Sequence, residues 1–155
     1  ILDGGAISIY TRLALPLPQA QLVFTPHQKE WETMSGLAIG DQGEEATRQS
    51  LSQLPPASIL VQKGPQTKIW QQGQADYYQL TVGGPYQATG GMGDTLAGMI
   101  AGFAGQFPQV GLYERVVVAT HLHSAIAEDL SKEVYVVLPT AISKEIPKWM
   151  KKISP

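Results

Sequence analysis

The richest stretch of this sequence for chemistry is Ala88-Thr89-Gly90-Gly91-Met92-Gly93-Asp94-Thr95-Leu96-Ala97-Gly98, where glycines run directly into an apolar, helix-like segment. The first backbone N–H groups of a helix lack internal partners and, with the helix dipole, favour an anion. Glycine lets a phosphate approach without a Cβ in the way. Gly91, Met92 and Gly93 would then form an anion hole. Asp94, at the helix start, is placed to accept a proton from an attacking hydroxyl. No Gly-Lys-Ser/Thr follows the glycines, so this is not a Walker A loop. The same residues also fit a plainer reading, with Asp94 as an N-cap behind a Gly-Gly turn.

Two further stretches carry chemistry. Lys63-Gly64-Pro65-Gln66-Thr67 follows a strand-like run, so a rigid element would aim the Lys63 ammonium at a phosphate. The loop offers backbone N–H groups and the Thr67 hydroxyl; an ordinary hairpin turn with an exposed lysine fits as well. His27 follows Pro26 at the end of Leu22-Val23-Phe24-Thr25, at the strand edge where open α/β sheets place ligands. The alternative there is a helix-capping or solvent-facing histidine. His121 and His123 lie two apart on a helical stretch and face different ways, which suits core or surface roles better than a metal pair. Glu44-Glu45 and Glu128-Asp129 read as solvated helix faces, and Trp31, Trp70 and Trp149 as packing residues. No protein metal site is expected.

The elements that must position these groups follow from periodicity and chain breakers. Strands are expected over 1–3, 22–25, 58–62, 68–70 and 77–82, with a hairpin signal at Gly73-Gln74. Ile7, Ile9, Leu13 and Leu15 suggest a helix that stops near Pro16 and Pro18. Further helices are expected over 30–37, 44–54, 94–107, 112–131 and 140–153. Gly98, Gly102 and Gly105 cost helix propensity, so close packing against another element is their expected reason. Strands alternating with helices argue for a three-layer α/β domain with a mostly parallel sheet. No repeat or linker divides residues 1–155. Because Ile1-Leu2-Asp3 reads as a buried strand with no Met before it, the expectation is a domain truncated at its N-terminal side.

Composition excludes several classes. The 43% hydrophobic content is that of a globular chain, and a net charge of −2 gives no basic face for nucleic acid. There is no cysteine, which removes disulfides, thiolate metal sites and thiol nucleophiles and fits a cytoplasmic location. No apolar run approaches the ~20 residues of a membrane span, and no signal peptide is visible. The oligomeric state is left open, a homo-oligomer included.

The segment Thr89–Gly98 resembles the Gly-x-Gly-Asp signature of the ribokinase-like superfamily. Within it the chain is most similar to the ADP/ATP-dependent NAD(P)H-hydrate dehydratases. Thr25-Pro26-His27-Gln28-Lys29-Glu30 resembles their Thr-Pro-His-x-x-Glu motif, and Lys63–Thr67 their Lys-Gly-x-x-Thr loop. Ile1-Leu2-Asp3 and His123–Leu130 are weaker matches, Gly5 stands where the family often has a second acid, and Met92 replaces a frequent Ser or Thr. The resemblance implies the C-terminal part of a single ribokinase-like domain. It also implies ADP or ATP as co-substrate, with Mg²⁺ arriving on the nucleotide. Lys63, Gly64, Pro65, Gln66, Thr67 and Gly93 would then contact the nucleotide, and His27 and Asp94 the hydrated nicotinamide.

The implied reaction is dehydration of hydrated NADH or NADPH, through phosphorylation of the substrate hydroxyl and loss of phosphate. Two competing readings are a vitamin-precursor or sugar kinase of the same fold and a non-catalytic nucleotide-binding module.

Overall fold

In a computed structural model of the protein, residues 1–14, 16 and 20–153 are described; Leu15 and Pro18, expected near the end of the first helix, lie outside them. The described chain falls into two compact units, Ile1–Gln79 and the remainder from Leu80.

The first unit is built on a sheet of β1 (Val23–Phe24), β2 (Ile59–Gln62), β3 (Lys68–Gln71) and β4 (Tyr77–Gln79), in that order. β1 and β2 are parallel, while β2–β3 and β3–β4 are antiparallel. The sheet is therefore mixed, not mostly parallel. The reason is loop length: parallel strands need a long crossover, which among the four strands the chain supplies only between β1 and β2. Through that crossover run α2 (Gln28–Ser35) and α3 (Glu44–Leu51). The expected first strand survives as a parallel bridge of Leu2 to Phe24, before α1 (Gly5–Leu13). β4 stops at Gln79, short of the expected Val82, because Gln79 already faces Lys68, the first residue of β3.

Leu22, Phe24, Trp31, Leu51, Leu60 and Trp70 form this unit's buried cluster, with Leu2, Met34, Leu54 and Tyr77 packed on it. The rings of Trp70 and Tyr77 lie 4.2 Å apart. Each large side chain buried here stabilises the fold by roughly 1.5–3 kcal/mol. Trp31 and Trp70 are thus packing residues, as their scattered positions suggest.

The second unit is helical among its described residues: α4 (Met92–Gln106), α5 (Leu112–Leu130) and α6 (Pro139–Ile153). Met92, Leu96, Met99, Ile100 and Phe103 form the buried stripe of α4. Val116, Ala119, Leu122, Ile126 and Ala127 are the buried apolar residues of α5. The expected close packing at the α4 glycines is not seen. A Cβ on Gly98 or Gly105 would meet nothing within 4 Å, and one on Gly102 only the Gln106 amide at 3.8 Å. Among the described residues no helix is long and apolar enough to cross a membrane.

Candidate functional site

In the first unit the C-terminal strand ends gather Asp3, Thr25, His27 and Lys63. Parallel pairing does this. Leu2 N–H donates to the Val23 carbonyl at 2.8 Å and Thr25 N–H to the Leu2 carbonyl at 3.1 Å. Lys63 N–H then donates to the Pro26 carbonyl at 2.9 Å, and His27 bridges Lys63 in parallel register.

Lys63 directly follows β2, bridged to His27, but its ammonium is not simply directed outward. It donates to Asp3 Oδ1 at 2.8 Å, and the Thr25 hydroxyl donates to the same oxygen at 2.6 Å. Thr25 is buried, and the Lys63 and Asp3 side chains are only 21% and 16% exposed, so water screens this pair little. Burial pushes the Asp3 carboxyl up, but bonds from Lys63 and Thr25, the Lys63 charge and the Gly4 N–H together hold it below the usual carboxylate range. Sequence reading missed Asp3 as a site residue. The available signal was its place directly after a strand residue, at the same edge as Lys63.

The loop after Lys63 is closed on itself. The Thr67 hydroxyl donates to the Gly64 carbonyl at 3.1 Å, so it shapes the loop instead of standing free for a phosphate. Gly64, Pro65 and Gln66 are exposed. Beside them opens a cleft of about 380 Å³, lined also by Gln28, Ile39, Gln42, Gln62, Lys63 and Lys68.

His27 caps α2. Its Nδ1 accepts from Lys29 N–H at 3.1 Å and Glu30 N–H at 3.2 Å, while Glu30 Oε2 accepts from His27 N–H at 2.8 Å. This reciprocal capping box satisfies donors that the helix cannot. An accepting Nδ1 carries no proton, so the neutral ring holds its proton on Nε2. That nitrogen lies 3.6 Å from Glu30 Oε1 on a half-exposed ring. The capping alternative is therefore realised, and Nε2 is what remains for a ligand.

In the second unit the glycine stretch leads into α4, but the helix begins two residues earlier than expected. Gly91 is its N-cap, left-handed at φ 86°, and makes no side-chain cap. A Cβ there would also come within 3.3 Å of Pro139 Cγ, so glycine is required. Asp94 is consequently the third helix residue, not the N-cap, and its side chain is exposed. A carboxylate in the first turn suits the positive end of the helix dipole. Met92 of the expected anion hole is placed within this turn. Its side chain is buried and its N–H points at the Thr89 carbonyl at 3.4 Å. Gly93 and Asp94 N–H, in the first turn, are the better donors for an anion.

His123 lies in the core of this unit, 5% exposed, with Nε2 lacking a hydrogen-bond partner. Burial pushes its pKa down to about 4. The acidic pairs are less idle than expected: Glu128 accepts from Gly83 N–H at 3.0 Å, and Glu44 from Lys68 at 3.2 Å and from the Tyr77 hydroxyl.

The fold is ribokinase-like. A solved ribokinase-like superfamily protein from Enterococcus faecalis superposes with a TM-score of 0.89 at 43% identity, over 97% of this chain and 51% of that one. The family model described as NAD(P)H-hydrate dehydratase matches residues 1–148, and the chain belongs to that family. An ADP-dependent (S)-NAD(P)H-hydrate dehydratase of Streptococcus pneumoniae is 66% identical over 97% of this chain and 52% of its own length. A solved ADP/ATP-dependent NAD(P)H-hydrate dehydratase from Bacillus subtilis, co-crystallised with ATP/Mg²⁺ and soaked with CoA, is 29% identical with a TM-score of 0.82, over 99% of this chain and 56% of that one. The chain spans about half the length of the relatives it matches.

Proposed function

We propose that the intact protein carries out ADP-dependent dehydration of hydrated NADH or NADPH, and that this chain is the C-terminal part of its single ribokinase-like domain. The observation that carries this is Asp94, exposed in the first turn of α4 three residues after the left-handed Gly91. Hydroxide leaves poorly and phosphate leaves well. The hydrate hydroxyl attacks the terminal phosphoryl of ADP, AMP leaves and Asp94 accepts the hydroxyl proton; the phosphorylated hydrate then loses phosphate from one ring carbon and a proton, to water, from the adjacent one, which restores the nicotinamide double bond. The N–H groups of Gly93 and Asp94 would stabilise charge on the transferring phosphoryl. Lys63 and its loop would hold nucleotide phosphate, and His27 Nε2 the nicotinamide side. ADP is preferred because the Streptococcus pneumoniae relative is named ADP-dependent; ATP is the alternative. Among the described residues no three His, Asp or Glu side chains gather to hold a metal, so Mg²⁺ would come on the nucleotide's own oxygens. No nucleic-acid or membrane partner enters this reading.

The test incubates the intact protein with hydrated NADH and ADP. Recovery of reduced-nicotinamide absorbance is expected. A phosphorylated small molecule without that recovery would establish a kinase of the same fold instead. Nucleotide binding with no turnover of any kind would leave a binding module.

A further inference from the structure

The Lys63 ammonium is held by a group on a different strand segment. Neighbouring strands lie about 4.8 Å apart, so Asp3 and Lys63 start roughly 10 Å apart with β1 between them. Lys63 spans that gap across the end of β1 to reach Asp3 Oδ1 at 2.8 Å. The same oxygen takes the hydroxyl of Thr25, the residue that follows β1, at 2.6 Å. Three successive segments of the sheet edge therefore meet at one carboxylate. Thr25 is 1% exposed and also lies 3.4 Å from the Leu2 carbonyl, so Asp3 rests on a rigid support.

We propose that Asp3, braced by Thr25, is a positioning residue for Lys63 that holds its ammonium at the strand edge ready for nucleotide phosphate. The inference rests on the nucleotide role given to Lys63 above. A lysine has a flexible four-carbon stem and much rotamer freedom. A lysine already held by Asp3 has lost that freedom before the nucleotide arrives, so binding does not have to remove it. One oxygen of Asp3 takes both donors, and the ammonium keeps further N–H donors for a phosphate oxygen. The pair is also charge-balanced, so the half-buried ammonium is not left uncompensated in the free protein.

The test measures ADP affinity, and the KM for ADP and for the hydrate separately, in the intact protein and in Asp3→Asn, Lys63→Ala, the double variant and Thr25→Val. Thermal unfolding confirms that each is folded. Lys63→Ala is expected to weaken ADP binding about 10- to 100-fold, the scale of a lost charged hydrogen bond. Asp3→Asn keeps the shape, removes the charge, and is expected to weaken it about 3- to 30-fold, bounded by lysine rotamer freedom. Hydrate KM should stay put, and Asp3→Asn should add nothing on the Lys63→Ala background. Thr25→Val should show the same effect at about 2- to 10-fold, and it decides the matter if Asp3→Asn does not fold. Unchanged or tighter ADP binding in Asp3→Asn with weakened binding in Lys63→Ala overturns this inference alone. So does an additive loss in the double variant, because Asp3 would then act independently of Lys63. Unchanged ADP binding in Lys63→Ala overturns the nucleotide role of Lys63 and this inference with it.

Discussion

The two units offer chemistry in opposite ways. At the sheet edge of the first, polar side chains already hold one another: Lys63 and Thr25 on Asp3, His27 on the first N–H groups of α2. In the second, the turn into α4 offers backbone, with a glycine cap that contributes no side chain and an exposed Asp94. A long side chain at a strand end finds a neighbour, so its direction is set by a network. A glycine turn brings no side chain to cap the helix, so the first-turn N–H groups of Gly93 and Asp94 are suited to an anion.

The sharpest way to break the contrast is Asp94→Asn. Because Gly91 is the cap, the substitution removes only a first-turn charge, worth about 0.3–1 kcal/mol of stability. Turnover should nevertheless fall on the order of 10²-fold or more, the scale of general base catalysis. ADP should bind as well as before or more tightly. Near-normal turnover would end the proposed role of Asp94.

His123 tests the core of the same unit. Its folded pKa of about 4 lies below the ordinary 6.5, so between these values the unfolded chain holds a proton that the folded chain does not. Stability should therefore fall as pH drops through that window, by up to about 3 kcal/mol. His123→Phe should flatten this dependence in melts at pH 7 and pH 4.5. A parent and variant that lose stability in parallel would show that His123 does not set it.

Gly91→Ala places a Cβ at φ 86° beside Pro139, and a loss of about 1–2 kcal/mol in thermal unfolding is expected. An alanine variant as stable as the parent would mean the turn tolerates other shapes. The smallest effect belongs to the first unit. His27→Ala should cost about 1 kcal/mol through the lost cap, and His27→Asn should restore it. The asparagine variant then isolates Nε2: a hydrate KM that stays high despite restored stability assigns the ring to substrate, and full recovery leaves His27 as a cap.

Helix and strand order, the glycine turn before α4 and the packing roles of Trp31 and Trp70 were legible from the residues alone. They follow from local periodicity, breakers and side-chain size, which act within a few residues. The helix register at Asp94 was not. Whether Gly91 or Asp94 is the cap depends on the left-handed turn at Gly91 against Pro139, 48 residues on by number. The short loop 63–67 forces a hairpin, yet a count of alternating strands and helices suggested a mostly parallel sheet.

What the sequence by itself determined is the kind of groups present: a glycine turn opening a helix, a lysine ending a strand, a histidine before a helix. What only the tertiary structure decided is where those groups point. Asp3 and Lys63 are 60 residues apart and meet only because parallel pairing sets Leu2 beside Phe24 and His27 beside Lys63. Chain order carries no record of that distance, whereas sheet register does, since parallel pairing places the C-terminal ends of these three segments at one edge.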